Sequence, residues 1–194
     1  MKLKLILAVT ALAVFAAACG TSASGPATLT VKKDGGDSIE VPVRSGGFYA
    51  STKTWSRPGK TAKSSSYFIC VANYDIDMSQ GAISIGAKVS ADDQTKICFS
   101  LNGEENGTDK SAPVAGTYEM EKRGDDFPFN SISSVFIRSM EDGKEVRHSF
   151  STAKSEGSIK LTSASTDDVA GEIDLSDGQN EVKGIFTAKA FKRS

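Results

Sequence analysis

Apolar and polar residues alternate along most of the chain, and the alternation is cleanest between Ser133 and Phe191. Successive side chains of a strand point to opposite faces, so residues directly across from each other in paired strands share a face. Candidate pairings can therefore be checked against one another. Asp177-Gly178 reads as a two-residue hairpin turn. Closing there sets Ile173 opposite Val182, Gly171 opposite Gly184 and Val169 opposite Phe186, with Glu172 opposite Lys183 on the other face. A turn at Thr166 to Asp168 sets Leu161 opposite Ile173, Ile159 opposite Leu175 and Lys160 opposite Asp174. Asp142-Gly143 closes another hairpin, in which Val135 faces Phe150, Ile137 faces His148 and Ser139 faces Val146. A turn at Ala153 to Glu156 then brings Phe150 opposite Ile159 and His148 opposite Leu161. The pattern predicts a C-terminal five-stranded antiparallel meander with a single apolar face.

Further towards the N-terminus, Leu29 and Val31 can pair with Val41 and Ile39 across Asp34-Gly35-Gly36. Tyr67 to Tyr74 is apolar on both faces and reads as a central strand covered on both sides. Ala82 to Val89 alternates with Ile83, Ile85, Ala87 and Val89 on one face. Ile97, Phe99 and Leu101 alternate in the same way, leaving Cys98 with Lys96 and Ser100 on the opposite face. No long segment holds helical spacing. The expectation is an all-β domain of about ten strands, either an antiparallel β-sandwich or a partly closed β-barrel. The 18 glycines against five prolines suit short strands joined by tight turns.

The start of the chain carries a different pattern. Lys2 and Lys4 precede an apolar stretch from Leu5 to Phe15, and Ala16, Ala17 and Ala18 lead into Cys19 and Gly20. A basic start, a short apolar run and a small-residue cleavage site read as a secretory signal over residues 1–18. The run is also short for a membrane span, which takes about 20 residues. Ala16-Ala17-Ala18-Cys19 resembles the bacterial lipobox, although Ala16 stands where leucine is usual. The resemblance implies a lipid-bearing Cys19, two or three acyl chains on it, and stable attachment to the cell envelope. Gly20 lacks the acidic character that retains lipoproteins at the inner membrane of enteric bacteria, so an outer-membrane location is expected in a Gram-negative cell. Residues 19–28 then form a lipidated cysteine with a flexible tether, and 29–194 a single domain.

Of the 23 basic residues, Lys2 and Lys4 fall in the signal, so 21 remain against 24 acidic ones, a net charge near −3. Nothing in that balance points to nucleic acid. With Cys19 lipidated, Cys70 and Cys98 are left, and an exported domain most simply joins them. Their neighbours suggest a partly exposed bridge between strands. In the last third, Gly116-x-Tyr118, Gly157-x-Ile159-x-Leu161-Thr162, Val169-x-Gly171-x-Ile173-Asp174 and Val182-x-Gly184-x-Phe186 recur in order. They resemble the pattern of uncharacterised bacterial lipoprotein and secreted β-domain families. That likeness implies an exported all-β domain and no catalytic residue.

Chemistry is sparse. His148, the single histidine, alternates with Val146 and Phe150 on a core face and reads as structural rather than as a catalytic base. The pairs Asp75/Asp77, Asp92/Asp93 and Asp125/Asp126 sit in polar turns, where solvated acids are ordinary. No calcium-loop or zinc spacing is present, so no metal or cofactor is expected. Arg123-Gly124-Asp125 reads as turn chemistry, and Asn106-Gly107-Thr108 is a glycosylation sequon in form only. The predicted pairing of Gly171 with Gly184 leaves a notch, either closed by an aromatic such as Phe186 or open as the floor of an apolar ligand site. The stretch from Lys53 to Lys63 reads as a loop holding the single tryptophan, Trp55, with Lys53, Arg57, Lys60 and Lys63 and no acid. It is the candidate contact for an anionic envelope component. The leading expectation is a lipid-anchored, non-catalytic β-domain with a binding or structural role. A carrier of a small apolar ligand comes next, and a hydrolase third.

Overall fold

The computed structural model describes residues 27–122, 124 and 126–192; the signal, Cys19 and most of the tether lie outside the described residues. Eleven strands run in chain order: β1 (Thr28–Lys32), β2 (Ile39–Pro42), β3 (Ser45–Arg57), β4 (Lys60–Ala72), β5 (Thr95–Glu105), β6 (Gly116–Met120), β7 (Ser131–Glu141), β8 (Lys144–Ser149), β9 (Glu156–Ala164), β10 (Asp168–Ser176) and β11 (Glu181–Ala190). Among the described residues one short helix, α1 (Ala82–Gly86), interrupts them. The fold is all-β, as the alternation predicts.

The strands form a single mixed sheet that is partly ringed without closing into a barrel. It folds over into two layers, β2-β1-β11-β10-β9-β6 and β3-β4-β5-β7-β8. Within each layer the pairings are antiparallel. Two short parallel seams join the layers: Lys189 and Ala190 of β11 beside Gly47 and Phe48 of β3, and Glu119 and Met120 of β6 beside Ser131 and Ile132 of β7. The first seam needs a close backbone approach. A Cβ on Gly46 would lie 2.2 Å from the Thr187 carbonyl oxygen, which only glycine avoids.

Between the layers lies one continuous apolar core that includes Leu29, Val31, Phe48, Ile69, Val71, Ile97, Ile137, Ile159, Leu161, Val182 and Phe186. Phe99 and Phe186 meet across it edge to face, with ring centroids 5.1 Å apart. A second, smaller cluster lies on the outer face of the β4-β5-β7 layer, where Cys70, Cys98, Phe136 and Ile76 are covered by Ile85 of α1 with Phe68, Tyr74 and Met78. β4 is thus buried on both sides, as its two apolar faces predict.

Several expected details change. The β1–β2 register, Leu29 with Val41 and Val31 with Ile39, holds. So does the β7–β8 hairpin, with Ile137 opposite His148 and Ser139 opposite Val146. The five-stranded meander does not form as one run, because β8 pairs only with β7 in one layer while the chain crosses to the other before β9. β6 takes the place expected for β8, setting Tyr118 opposite Ile159 and Gly116 opposite Leu161. The β10–β11 register is two residues longer than expected: Gly171 faces Phe186, Ile173 faces Gly184 and Leu175 faces Val182. Its turn has four residues, not two, because the Asp177 carboxylate accepts the N–H groups of Gln179 at 3.0 Å and Asn180 at 2.7 Å. β9–β10 also slips by two, with Ile173 opposite Ile159, Lys160 opposite Glu172, and a bulge between Ala170 and Gly171. Both slips are even numbers, so every apolar residue keeps its face.

The strand expected over Ala82 to Val89 is instead α1 and an irregular stretch; Ile85 is fully buried while Ile83 is exposed. Cys70 and Cys98 are directly opposite in β4 and β5 and are disulfide-bonded. The bridge is fully buried rather than partly exposed, because α1 and its flanks lie over it.

Candidate functional site

Residues 53–63 are the far end of the β3–β4 hairpin rather than a loop. The strands turn at Pro58-Gly59, where Gly59 has φ 74° as the second central turn residue requires. β4 gains its next partner, β5, only from Ser64 onwards, so Thr54 to Lys63 project as a two-stranded arm. Alternation sorts the candidate contact residues. Lys53, Trp55, Arg57 and Lys60 share one face of the arm, and Lys63, opposite Thr54, lies on the other.

The first three of these are engaged within the molecule. The Lys53 ammonium lies 3.7 Å from the centre of the Trp55 ring and donates to Asn102 Oδ1 at 3.3 Å. Burial pulls the Lys53 ammonium below its ordinary pKa, opposed by the charge of Glu121. Trp55 Nε1 donates to the Oγ of buried Ser64 at 2.9 Å. Arg57 donates to the carbonyls of Gly124 and Asp126 and stands over the Phe127 ring. Lys60 and Lys63 are exposed, with no ion pair among the described residues. The basic stretch therefore presents two free cations rather than four.

Under the arm is a polar group that the alternation did not single out. Asn102 is fully buried; its Nδ2 donates to Ser131 Oγ at 2.9 Å and to Glu121 Oε2 at 3.4 Å. A buried amide needs such partners. Its presence was legible only as a polar residue following the Ile97-Phe99-Leu101 run.

The other candidates are scattered. Asp75 pairs with Arg44 at 2.7 Å, and Asp77 accepts from the Ser79 N–H and hydroxyl ahead of α1. Asp92 and Asp93 are exposed. Arg123 and Asp125 lie outside the described residues, so the Arg123-Gly124-Asp125 reading and the Asp125/Asp126 pair lie there in part. No group of metal-ligating side chains occurs among the described residues. His148 is buried, and its ring bonds to two carboxylates, Asp34 and Glu141. Glu141 is held below the usual carboxylate range by the hydrogen bond from Lys33; burial opposes this and the His148 contact adds to it. Glu141 lies seven residues away across the same hairpin, whereas Asp34 comes from a turn more than a hundred residues away in sequence.

The expected Gly171–Gly184 notch is closed. Phe186 covers Gly171, and Gly184 packs against Thr28 and Leu29. Open grooves remain on the outside; one of about 550 Å³ runs beside Tyr49 to Thr52, Asp109 to Ser111 and Phe191. No protein-family pattern, curated protein or solved structure matches this chain.

Proposed function

We propose that the chain is a lipid-anchored, non-catalytic β-domain of the cell envelope, held through Cys19, that binds or supports a partner on its outer surface. The observation that carries the surface reading is the filled interior, where Phe99 and Phe186 meet at 5.1 Å across the layers. A carrier needs an enclosed apolar cavity, and side chains occupy that space here. The residues for export and lipidation are Lys2, Lys4, the apolar stretch and Ala16-Ala17-Ala18-Cys19. The test is expression of the full precursor with a labelled fatty acid, beside Cys19→Ala. Label and membrane attachment lost together in the variant support the reading; equal label in both proteins refutes it.

The anionic contact proposed for the arm narrows to its tip. Lys60 and Lys63 are its exposed cations, and each supplies about 1 kcal/mol near an anionic surface. Strand directions favour this end. β1 runs antiparallel to β11 whereas β3 runs parallel to it, so the chain enters the domain from the end towards which the arm projects. A lipid on Cys19 would thus bring the arm to face the membrane.

A further inference from the structure

His148 joins two hairpins that belong to opposite layers. Its side chain is 3% exposed; Nδ1 lies 2.9 Å from Oδ2 of Asp34 in the β1–β2 turn, and Nε2 lies 2.8 Å from Oε1 of Glu141 at the end of β7. A carboxylate only accepts hydrogen bonds, and a neutral imidazole has one N–H and one bare lone pair. With a neutral ring, one contact would set that lone pair against a carboxylate oxygen. Only the doubly protonated ring makes both bonds, each charge-assisted. The surroundings balance the charge. Lys33 donates to Glu141 Oε1 at 3.0 Å and to Ser139 Oγ at 2.9 Å, so two cations face two carboxylates.

We propose that His148 is a proton-dependent clasp that ties the β1–β2 turn to the tip of the β7–β8 hairpin. Closed, the ring carries both protons and bridges Asp34 to Glu141. When one proton leaves, the Asp34 contact opens. Glu141 is retained by Lys33, whereas Asp34 is 68% exposed and turns to water. The charged groups bonded within this cluster are Lys33 and Asp34 from the β1–β2 turn and Glu141 from β7; the Asn180 side chain, which accepts the Asp34 N–H at 3.2 Å, is uncharged. The two carboxylates flank opposite ring nitrogens and cannot converge on one metal ion with the ring.

Opening is local. The β1–β2 turn stays tied to the β10–β11 turn through Gly35 N–H to the Gln179 carbonyl at 2.8 Å. Lys33 keeps its bonds to Glu141 and Ser139 as well, so what is released is the Asp34 side chain and not the β7–β8 tip.

The experiment is ¹⁵N NMR of residues 20–194 through a pH titration, with amide exchange measured alongside. His148 is the single histidine, so its ring signals need no assignment by mutation. Two protonated ring nitrogens are expected at the acid end and a single neutral tautomer at the alkaline end. Protection of the Asp34 amide, which donates to Asn180 Oδ1, should fall on the order of tenfold over the same step, the worth of one charge-assisted hydrogen bond. In Asp34→Asn, whose site is exposed enough to leave folding intact, that step in protection should vanish. A neutral tautomer throughout, or the same step in the Asp34→Asn variant, overturns the proposal.

Discussion

Gly171 lies beneath the ring of Phe186 on the neighbouring strand. A Cβ there would fall 3.1 Å from the Phe186 ring and 2.4 Å from the Lys160 carbonyl oxygen. The ring can turn only a little, because its other side meets Phe99. The backbone oxygen belongs to a paired strand and cannot give way. Gly171→Ala should therefore destabilise the domain by about 1–3 kcal/mol, the usual cost of overpacking. Urea unfolding would show a lower midpoint at unchanged slope. An alanine variant as stable as the parent would mean that the layers are not closed at this point.

The disulfide should resist reduction in the folded protein, because Cys70 and Cys98 are fully buried beneath Ile85 and its neighbours. Native protein treated with reductant and an alkylating reagent should gain no label; label should appear once the domain is unfolded. Replacing both cysteines by alanine should cost roughly 3–4 kcal/mol in the chain-entropy account of a loop this long. Intact mass and denaturant curves measure the two outcomes.

Lys96 makes stability depend on pH. Burial pulls its ammonium from 10.5 down to about 8; the Arg138 charge adds to this and Glu145 opposes it. The folded state thus sheds its proton before the unfolded chain does. Between about pH 8 and 10 the unfolded state holds more protons, so stability should rise with pH. Above that range buried Tyr67 and Tyr118 and partly buried Tyr74, all raised chiefly by burial, reverse the slope. Lys96→Met should flatten the rise. It should also weaken the end of α1, because Lys96 donates to the Ile85 and Ala87 carbonyls. Denaturant midpoints of both proteins across this range give the comparison.

The β3–β4 arm should open before the rest of the molecule, since two strands without a third are marginal in water. Trp55 is the single tryptophan, so its emission reports the arm alone. On heating, a red shift should precede the loss of far-ultraviolet circular dichroism. Binding of the soluble domain to anionic vesicles should weaken with salt and fall when Lys60 and Lys63 are both made neutral. Neutralising Lys53, held against Trp55 and Asn102, should disturb the arm's order more than its charge contact.

The chain by itself determines that the fold is all-β, which face the side chains of its C-terminal strands take, and where two of the local hairpins close. Leu29 to Val41 and Ile137 to His148 are readable because short turns leave little choice of partner. The joining of Cys70 to Cys98 follows from there being two cysteines in the domain, although their depth does not. Tertiary structure decides the rest. Alternation tells which way a residue points but not which strand lies beside it, so β6 could displace β8 next to β9 without disturbing a single apolar face. It is equally blind to a slip of two, and the Asp177 hydrogen bonds, one of them to the distant Ser151 N–H at 2.9 Å, settle the longer turn. Ala82 to Gly86 is too short for its period to be read, and α1 forms where Ile85 can cover the disulfide and Lys96 can meet its last carbonyls. The same holds for the groups most open to chemistry. Glu141 and His148 share the readable β7–β8 hairpin, but Asp34 reaches them, and Lys53, Asn102 and Glu121 reach one another, from distant parts of the chain, which no local pattern records.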